Sequence, residues 1–422
     1  MANAPNTYGV QPVPAQVSIT GTLNGLFKEV YAKELVNLIP DGVKLLTKIP
    51  FSKRDAALGS FYHQPVILGH EHGVTFAAGD DDAFNLNDAV AGQIKDAQVQ
   101  GTQLVLRSML GLAAASRSMN GGASAFMQAT KFLVGNMLRS VTKKLEIEML
   151  YGQVGYADIG ALAATNQFVI PDAQWAPGIW AGSEKMPIDF VIANAVVASA
   201  SVTAVDFATK TVTFSGAPLT IGASTVYHGG ALGKEFAGIH KILTNTGTLF
   251  GINASAYSLF KGNEYDAGNG GPAQNLSYTK IQEAIAKAVE KGLDNDVIVL
   301  VNPKVWADVL TDVAATRALD QVQVPYSTAV QERGSKEIKF HGQNGMIEIV
   351  PSIYCKQGFA YVISPDDYMR IGSTDVTFNR PGKDGEFFKD MEDKAGYELR
   401  CYTDQALFSS APAKGCLIWN IV

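Results

Sequence analysis

The 422-residue sequence has few cysteines, few charges and no long apolar run, and each shortage excludes a class of protein. Cys355, Cys401 and Cys416 are an odd number of cysteines without CxxC spacing, which excludes a disulfide framework and predicts buried thiols in a reducing compartment. No stretch of about 18 apolar residues is present, so no membrane span is expected. No cationic start precedes an apolar segment near Met1, so no signal peptide is expected either.

Charge is scarce and mostly acidic. Charged residues make up 18% of the chain, and the formal net charge is −6. Sequence-independent binding of nucleic acid needs a basic face, so it is excluded as the main activity. Hydrophobic residues, at 47%, are numerous enough to form a core. Low charge together with 41 glycines indicates that another protein subunit covers much of the surface.

Motifs for catalysis and ligand binding are also missing. His70-Glu71-His72 lacks the i,i+4 histidines of a HExxH metal site and has no third ligand nearby in sequence. The segment 229–235 is one residue too short for a phosphate loop, and Glu235 stands where a Ser or Thr would hold Mg²⁺. Asp80–Asp82 lack the spacing of a Ca²⁺ loop. The sequence therefore predicts a protein that is not an enzyme, with no cofactor and no metal site.

One long helix is predicted over residues 118–153. Ser118 and Asn120 are suitable N-caps, Gly152 is a suitable C′ residue, and Gly135 is the only internal helix breaker. The apolar residues follow mostly i+4 spacing, and such a row drifts around the helix by about 10° per residue. We therefore expect the helix to contact different partners along its length.

The segments before and after this helix have other patterns. Residues 22–38 predict a short helix, and residues 51–112 predict an extended two-stranded arm with strands at 59–68 and 98–106. Residues 156–187 are loop-like, residues 191–262 form a β-rich module, and Gly262–Pro272 is a linker.

The last third of the chain has an α/β pattern. Ser277 caps a predicted helix, residues 297–301 form a central strand, and Asn302 with Pro303 starts a second helix. A polar loop is predicted at 317–336, and short strands are predicted at 346–350, 359–363, 375–378 and 397–401. The apolar segment 417–422 is expected to dock on the core.

The order of these segments resembles the major capsid proteins of tailed bacteriophages with the Hong Kong 97-type fold. The strongest similarity lies in Tyr278–Leu310, with its VNPKVW junction, and in Met369–Phe408. The resemblance implies an α+β fold that also carries a β-rich insertion. It divides the chain into an N-terminal arm (1–50), an extended β-hairpin or E-loop (51–115), a spine helix with the first part of the peripheral domain (116–190), the inserted module (191–262), an axial domain (263–362), the return of the peripheral domain (363–412) and a docked C-terminal segment (413–422).

The resemblance also implies a function and a set of partners. The chain would be a virion protein that assembles, in the host cytoplasm, into the hexamers and pentamers of an icosahedral shell around double-stranded DNA. A separate scaffolding protein, a portal and a decoration protein would be partners, and contact with the packaged DNA would be non-specific and weak. Two alternatives stay open at this point: a soluble α/β enzyme with an unrecognised site, and a β-rich surface or attachment protein.

Candidate contact residues between subunits follow from charge. The acidic tip of the arm is predicted to pack on the basic stretch of a neighbouring spine helix, and Gly135 is predicted to be a bend or a close crossing in that helix. The residues concerned are Asp80, Asp81 and Asp82 in the arm and Lys131, Arg139, Lys143 and Lys144 in the helix.

Overall fold

The computed structural model describes residues 42–52, 61–79, 83–111, 123–311, 338–379, 388–392 and 394–422, with side chains of the long helix described from residue 133 onward. The described residues fall into two units. The smaller unit takes its residues from 106–137 and 378–400, and the larger unit from 39–105, 138–377 and 401–422. The predictions for 22–38 and 317–336 lie outside the described residues.

The helices are α1 (Leu45–Lys48), α2 (Ala123–Tyr151), α3 (Pro177–Trp180), α4 (Ile239–Thr244), α5 (Tyr278–Val289) and α6 (Pro303–Thr311). The strands are β1 (Phe51–Ser52), β2 (Tyr62–Gly69), β3 (Gln93–Val99), β4 (Thr102–Gly111), β5 (Ala157–Ile159), β6 (Leu162–Thr165), β7 (Gln167–Val169), β8 (Pro187–Ile192), β9 (Ala195–Asp206), β10 (Thr211–Phe214), β11 (Leu219–Ile221), β12 (Ser224–His228), β13 (Thr248–Leu249), β14 (Ile252–Asn253), β15 (Asn263–Asp266), β16 (Val297–Val301), β17 (Ile338–Gly342), β18 (Gly345–Pro351), β19 (Phe359–Ile363), β20 (Tyr368–Thr377), β21 (Phe388–Asp390), β22 (Gly396–Ser409) and β23 (Cys416–Trp419). In the described part of the chain, no helix has both the length and the apolar character of a membrane span.

The predicted α/β region forms a sheet in the order β15-β23-β19-β16-β18-β17. Every residue of β16 is buried, as its unbroken apolar sequence predicts, and it lies between β18 and β19. Ile281 and Ile285 of α5 and Val305 and Val309 of α6 belong to the same buried cluster as alternate residues of β16. This cluster is the core of the region.

The predicted helix starts in this region are confirmed. The Ser277 side chain accepts the backbone N–H of Lys280 at 3.3 Å and caps α5. The Asn302 side chain accepts the N–H of Lys304 at 3.0 Å, and Pro303 is the first residue of α6. These short polar signals fix both helix starts locally.

The predicted linker Gly262–Pro272 was wrong in its first half. Residues 263–266 form β15, which pairs in parallel with β23 at the edge of the sheet. Asn263 is buried, and its side chain donates to the carbonyl oxygens of Ala413 and Gly415. Backbone pairing and this buried amide hold a strand whose polar sequence gives no strand signal.

The apolar end of the chain docks as predicted. β23 lies between β15 and β19, and Leu417 and Ile418 are buried. The three cysteines are free and buried, which confirms that they are not disulfide-linked.

A second sheet has the order β5-β12-β8-β9-β10-β7. It begins at Ala157, within the stretch predicted to be loop-like, because β5 and β7 are short edge strands that pair with later strands. Phe168, Phe190 and Phe214 pack their rings against one another beneath it, and Trp180 joins them through Phe168. The aromatic cluster holds the three-residue strands in place.

β22 takes part in a further set of strand pairings. In the larger unit, β1 runs parallel to β20, and β20 pairs with residues 402–409 of β22. In the smaller unit, β21 pairs with residues 397–399 of β22. β4 also pairs with β22.

The long helix is confirmed over Ala123–Tyr151, and the predicted caps Ser118 and Asn120 lie outside the described residues. Gly152 follows it but does not have a positive φ; Gln153 does, at 65°. Gly152 is needed for a different reason. A Cβ there would overlap the carbonyl oxygen of Phe236, which lies against the helix end.

The extended arm has a different second strand from the predicted one. β2 pairs antiparallel with β3, whereas the predicted strand at 98–106 is divided between β3 and β4 at Gln100-Gly101. The polar sequence QIKDAQV of β3 hid the strand, because both of its faces are largely exposed over its first half.

Candidate functional site

The hairpin formed by β2 and β3 has one face with exposed apolar residues, next to the exposed His63–Asp96 ion pair. Ile67 lies directly opposite Ile94, and these side chains are 67% and 64% exposed. Phe61, just before β2, is also exposed, whereas Ala97 and Val99 at the base of β3 are buried. Apolar residues that face each other across strands stabilise a sheet when they are covered, so this face is built to be covered by another surface.

The connection between β2 and β3 continues this apolar surface. Its two sides are held together by Asn87, whose backbone N–H donates to the hydroxyl of Thr75 and whose side chain donates to the carbonyl oxygen of Val74. Phe76 is 91% exposed. The other exposed apolar residues here are Val74, Phe84, Leu86 and Val90. The described part of the connection thus exposes several large apolar side chains, a feature of surfaces that mediate contacts between proteins.

The outer edge of β2 is protected against pairing with further strands. Among the described strands, β2 pairs only with β3. Pro65 stands in the middle of β2 and has no N–H to donate. Proline at an edge prevents the addition of another strand. This edge is therefore poorly suited to the addition of another strand.

The segment that leads into the hairpin is anchored by a buried carboxylate. Glu146 of α2 is fully buried and accepts the backbone N–H groups of Lys44, Leu45 and Leu46 at 2.7–2.9 Å. These are the N–H groups at the start of α1, which have no acceptor within the helix. Burial raises the pKa of Glu146, and the three N–H donors oppose that rise.

Arg370 of β20 holds the other end of the same segment. Its Nε donates to the carbonyl oxygen of Ile49 at 2.8 Å, and its Nη1 donates to the Gln405 side chain at 3.0 Å. Leu45 and Ile49 are buried between these anchors. The described segment before the hairpin is therefore held at both ends within the larger unit.

The base of the hairpin is fixed as well. The N–H of Gln98 donates to the carbonyl oxygen of Phe250 at 2.9 Å, in the turn between β13 and β14. A cavity of about 520 Å³ lies next to this contact and is lined by residues that include Gln100, Gln153 and Glu235.

The structure separates the predicted basic residues of the helix. Arg139 is exposed, whereas Lys143 and Lys144 are half-buried. Lys143 donates to the carbonyl oxygen of Ala181 at 2.6 Å, and Lys144 donates to the Tyr156 hydroxyl. The side chain of Lys131 lies outside the described residues. Of the three predicted basic residues whose side chains are described, Arg139 is the exposed one.

Several titratable groups with shifted pKa values lie around Lys144 at the end of α2. Burial lowers the pKa of Lys143 to about 8 and that of Lys144 to about 7. Burial, with the nearby Glu235 carboxylate, raises the pKa of Glu148 to about 8. Glu148 accepts the N–H of Phe236 at 3.1 Å. Glu146 and Glu148, which resemble surface residues in the sequence, are therefore part of the interior.

A buried lysine ties the end of α2 to the loop between β18 and β19. The Lys356 ammonium donates to the carbonyl oxygen of Gly155 at 3.2 Å and lies 4.5 Å from the ring centroid of Tyr151. Its backbone N–H donates to the Tyr151 hydroxyl at 2.7 Å. Burial lowers the pKa of Lys356 to about 8. These contacts fix the C-terminal end of α2.

The other predicted positions give simpler results. Gly135 is half-buried in the continuous helix, and a Cβ there would meet no atom of the described chain within 4 Å. Asp80, Asp81 and Asp82 lie outside the described residues. His70, Glu71 and His72 are exposed, and no group of three metal-binding side chains occurs among the described residues.

The anchoring residues and part of the apolar face were not predicted from the sequence. Glu146 has no local sequence signal, because its three donors lie about a hundred residues away. The hairpin offered only part of a signal, since Ile67 lies in the apolar run Val66–Leu68, whereas Ile94 is a large apolar residue in the polar sequence of β3.

Comparison with known proteins agrees with this architecture. No protein-family model matches the sequence, and no curated protein matches it. The fold is similar to a chain of the capsid asymmetric unit of cyanophage A-1(L), with a TM-score of 0.53 and 13% identity over 95% of this chain and 99% of that chain. It is also similar to a capsid chain of a native GTA particle, with a TM-score of 0.50 and 8% identity over 98% of this chain and all of that chain. The chain therefore has a capsid-protein fold, which confirms the predicted α+β capsid architecture.

Proposed function

We propose that this chain is the major capsid protein of a tailed bacteriophage. It self-assembles into the hexamers and pentamers of an icosahedral head that encloses double-stranded DNA. The similarity extends over nearly the full length of this chain and of the capsid chains it was compared with, which supports a structural role for the whole chain. Rings of identical subunits need heterologous contacts that close by rotation.

The observation that carries the proposal is the exposed apolar face of the hairpin. Ile67, Ile94 and Phe76 would be exposed to water in an isolated subunit. Each fully buried residue of this kind contributes roughly 1.5–3 kcal/mol. Because the hairpin is anchored at its base, contact between this face and a neighbouring copy of the chain joins the two subunits firmly. Many such weak contacts make a shell stable through avidity.

The acidic tip guides this contact in the proposal. Asp80–Asp82 pair with the basic stretch of the neighbouring spine helix, where Arg139 is exposed and Lys131 is the second candidate. Lys143 and Lys144 contribute charge from half-buried positions. Alanine at all three aspartates should slow assembly at low salt and have less effect at high salt. An assembly rate and salt dependence equal to those of the wild type would remove the tip from the contact.

The remaining partners complete the proposal. A separate scaffolding protein, a portal and a decoration protein associate with the shell. The acidic chain makes weak, non-specific contact with the packaged DNA.

Electron microscopy of the purified full-length chain tests the proposal. Closed shells, or hexamers and pentamers, are the expected result, and gradient sedimentation should give the same species. A monodisperse monomer or dimer at every concentration and salt tested, with or without a scaffolding protein, would contradict it.

A further inference from the structure

The loop 229–238 joins β12 to α4 and lies against the C-terminal end of α2. The N–H of Gly238, at the end of the loop, donates to the carbonyl oxygen of Gly152 at 3.1 Å. Residues 233–237 line the cavity of about 520 Å³ at the base of the β2–β3 hairpin. The middle of the loop is therefore one wall of this cavity.

Two carboxylates hold the middle of the loop on α2. Glu148 of α2 accepts the backbone N–H of Phe236 in the loop at 3.1 Å. Glu235 of the loop accepts the backbone N–H of Gln153, which follows α2, at 3.2 Å. The Gln153 side chain also donates to the carbonyl oxygen of Glu235 at 2.9 Å. Each segment thus supplies an acceptor for the other, and we call this reciprocal contact the carboxylate clasp.

The carboxylate clasp places two acids where negative charge is unfavourable. Glu148 lies in the last turn of α2 and is 8% exposed, and the C-terminal end of a helix carries partial negative charge. In the described part of the chain neither acid forms a salt bridge, and the Lys144 ammonium donates to the Tyr156 hydroxyl instead. Two neighbouring acids without a paired cation favour the protonated form of one of them.

The shifts in pKa around the carboxylate clasp agree with this arrangement. Burial and the Glu235 carboxylate raise the pKa of Glu148 to about 8, and burial raises the pKa of Glu235. Burial lowers the pKa of Lys144 to about 7. The other titratable groups that face these three residues are Lys143, Tyr156, Tyr227 and His228.

We propose that the carboxylate clasp is a proton-dependent latch, in which Glu148 carries a proton while the loop is closed on α2. The protonated carboxyl group still accepts the Phe236 N–H through its carbonyl oxygen, and it does not repel the Glu235 carboxylate. When the loop opens, Glu148 enters water and releases its proton to it. Closure is therefore linked to proton uptake by Glu148.

The Glu148 contribution has a defined sign and pH range. Between its ordinary pKa of 4.5 and its pKa of about 8 in the closed loop, the closed form holds a proton that the open form does not. The contribution is fully present below about pH 4.5 and is lost as the pH rises to about 8. Lys144 and His228 have lowered pKa values, so their protons act in the opposite direction. A substitution of Glu148 is needed to isolate its share.

Hydrogen exchange of the full-length chain tests the latch, with mass spectrometry of peptides that cover the loop 229–238. Glu148→Gln keeps an acceptor oxygen and has no proton to release. Protection of the loop amides is corrected for the intrinsic exchange rate at each pH. From pH 5 to pH 7 the wild type should lose protection, relative to Glu148→Gln, by about tenfold or more.

Two further variants complete the test. Glu290→Gln removes an exposed carboxylate elsewhere and should keep the wild-type profile. Glu235→Gln removes the neighbouring negative charge, which lowers the pKa of Glu148, and should reduce the loss of protection between pH 5 and pH 7. Circular dichroism checks that each variant folds.

The outcomes are distinct. Parallel pH profiles for wild type and Glu148→Gln would overturn the latch. If Glu148→Gln does not fold, a wild-type profile in Glu235→Gln would overturn it. The readout concerns the single subunit, so neither result bears on the proposed capsid function.

Discussion

The carboxylate of Glu146 accepts the backbone N–H of Leu45 at 2.7 Å, across 101 residues of sequence. The same carboxylate receives two further N–H groups, so one side chain of α2 holds the whole start of α1. Glu146→Ala should lower the free energy of unfolding by about 2–4 kcal/mol, because three donors lose their acceptor.

Urea unfolding of disassembled subunits measures this loss. Glu146→Gln, which keeps one acceptor oxygen, should lose about half as much. Glu290→Ala removes an exposed carboxylate and should stay within about 0.5 kcal/mol of the wild type. Equal stability of Glu146→Ala and Glu290→Ala would show that Glu146 is not an anchor.

The apolar face of the hairpin should matter for assembly and not for folding. Ile67→Asp together with Ile94→Asp should lower the free energy of unfolding by no more than about 1 kcal/mol, because both side chains are already exposed and the loss comes only from like charges opposite each other. Electron microscopy should show loss of rings and shells. The Ile67→Leu and Ile94→Leu pair is the control and should assemble normally. Intact shells from the aspartate pair would exclude this face from the contact.

The glycines at positions 135 and 152 should respond in opposite ways. Gly135→Ala should stabilise the subunit by roughly 0.5–1 kcal/mol, because alanine favours the helix and its Cβ meets open space. Gly152→Ala should destabilise it by about 1–3 kcal/mol, because its Cβ overlaps the Phe236 carbonyl. Chemical denaturation gives both values. If Gly135→Ala is more stable but fails to assemble, the helix bends or is crossed at that position in the shell.

A half-buried histidine should make the subunit sensitive to acid. Burial, with Lys356 and Lys241 nearby, lowers the pKa of His240 from 6.5 to about 3. Between these values the unfolded chain binds a proton that the folded chain does not, so stability falls as the pH drops below about 6.5. Above that pH this contribution is fully present.

Comparison of wild type with His240→Gln isolates the effect. The variant should lose up to about 1.4 kcal/mol per pH unit of the wild-type dependence between about pH 6 and pH 4, measured by urea unfolding. The substitution also removes the contact of the His240 ring with the Tyr361 hydroxyl at 2.9 Å. The free energy of unfolding of each protein is therefore expressed relative to its own value at pH 7.5. Parallel pH profiles would show that His240 titrates alike in the folded and unfolded states.

Short sequence signals correctly predicted the helix starts and the central strand, because these features are determined by nearby residues. Ser277, Asn302 and Pro303 fix helix starts within three residues, and the apolar run of β16 marks a strand covered on both faces. The long helix followed from the absence of proline. Each of these features depends on residues that are close together in the chain, so the sequence alone was enough to predict it.

The features that the sequence did not predict depend on contacts between segments that are far apart in the chain. β15 is polar and is a strand only because β23 lies beside it. The fit of Gly152 against Phe236 and the contact of Glu146 with α1 depend on where distant segments meet. In the candidate site, the sequence showed which segments are acidic and which are basic. It did not show that Lys143 and Lys144 make hydrogen bonds within the subunit.

The position of β23 has a consequence for synthesis. β23 is the last described strand, yet it separates β15 from β19 within the sheet. On the ribosome, β15 has no partner in that sheet until residues 416–419 emerge. A chain that stops earlier keeps an open slot beside β19 and exposes unpaired edges, which favour misassembly and proteolysis. The core of this sheet therefore closes only in a subunit that has received β23.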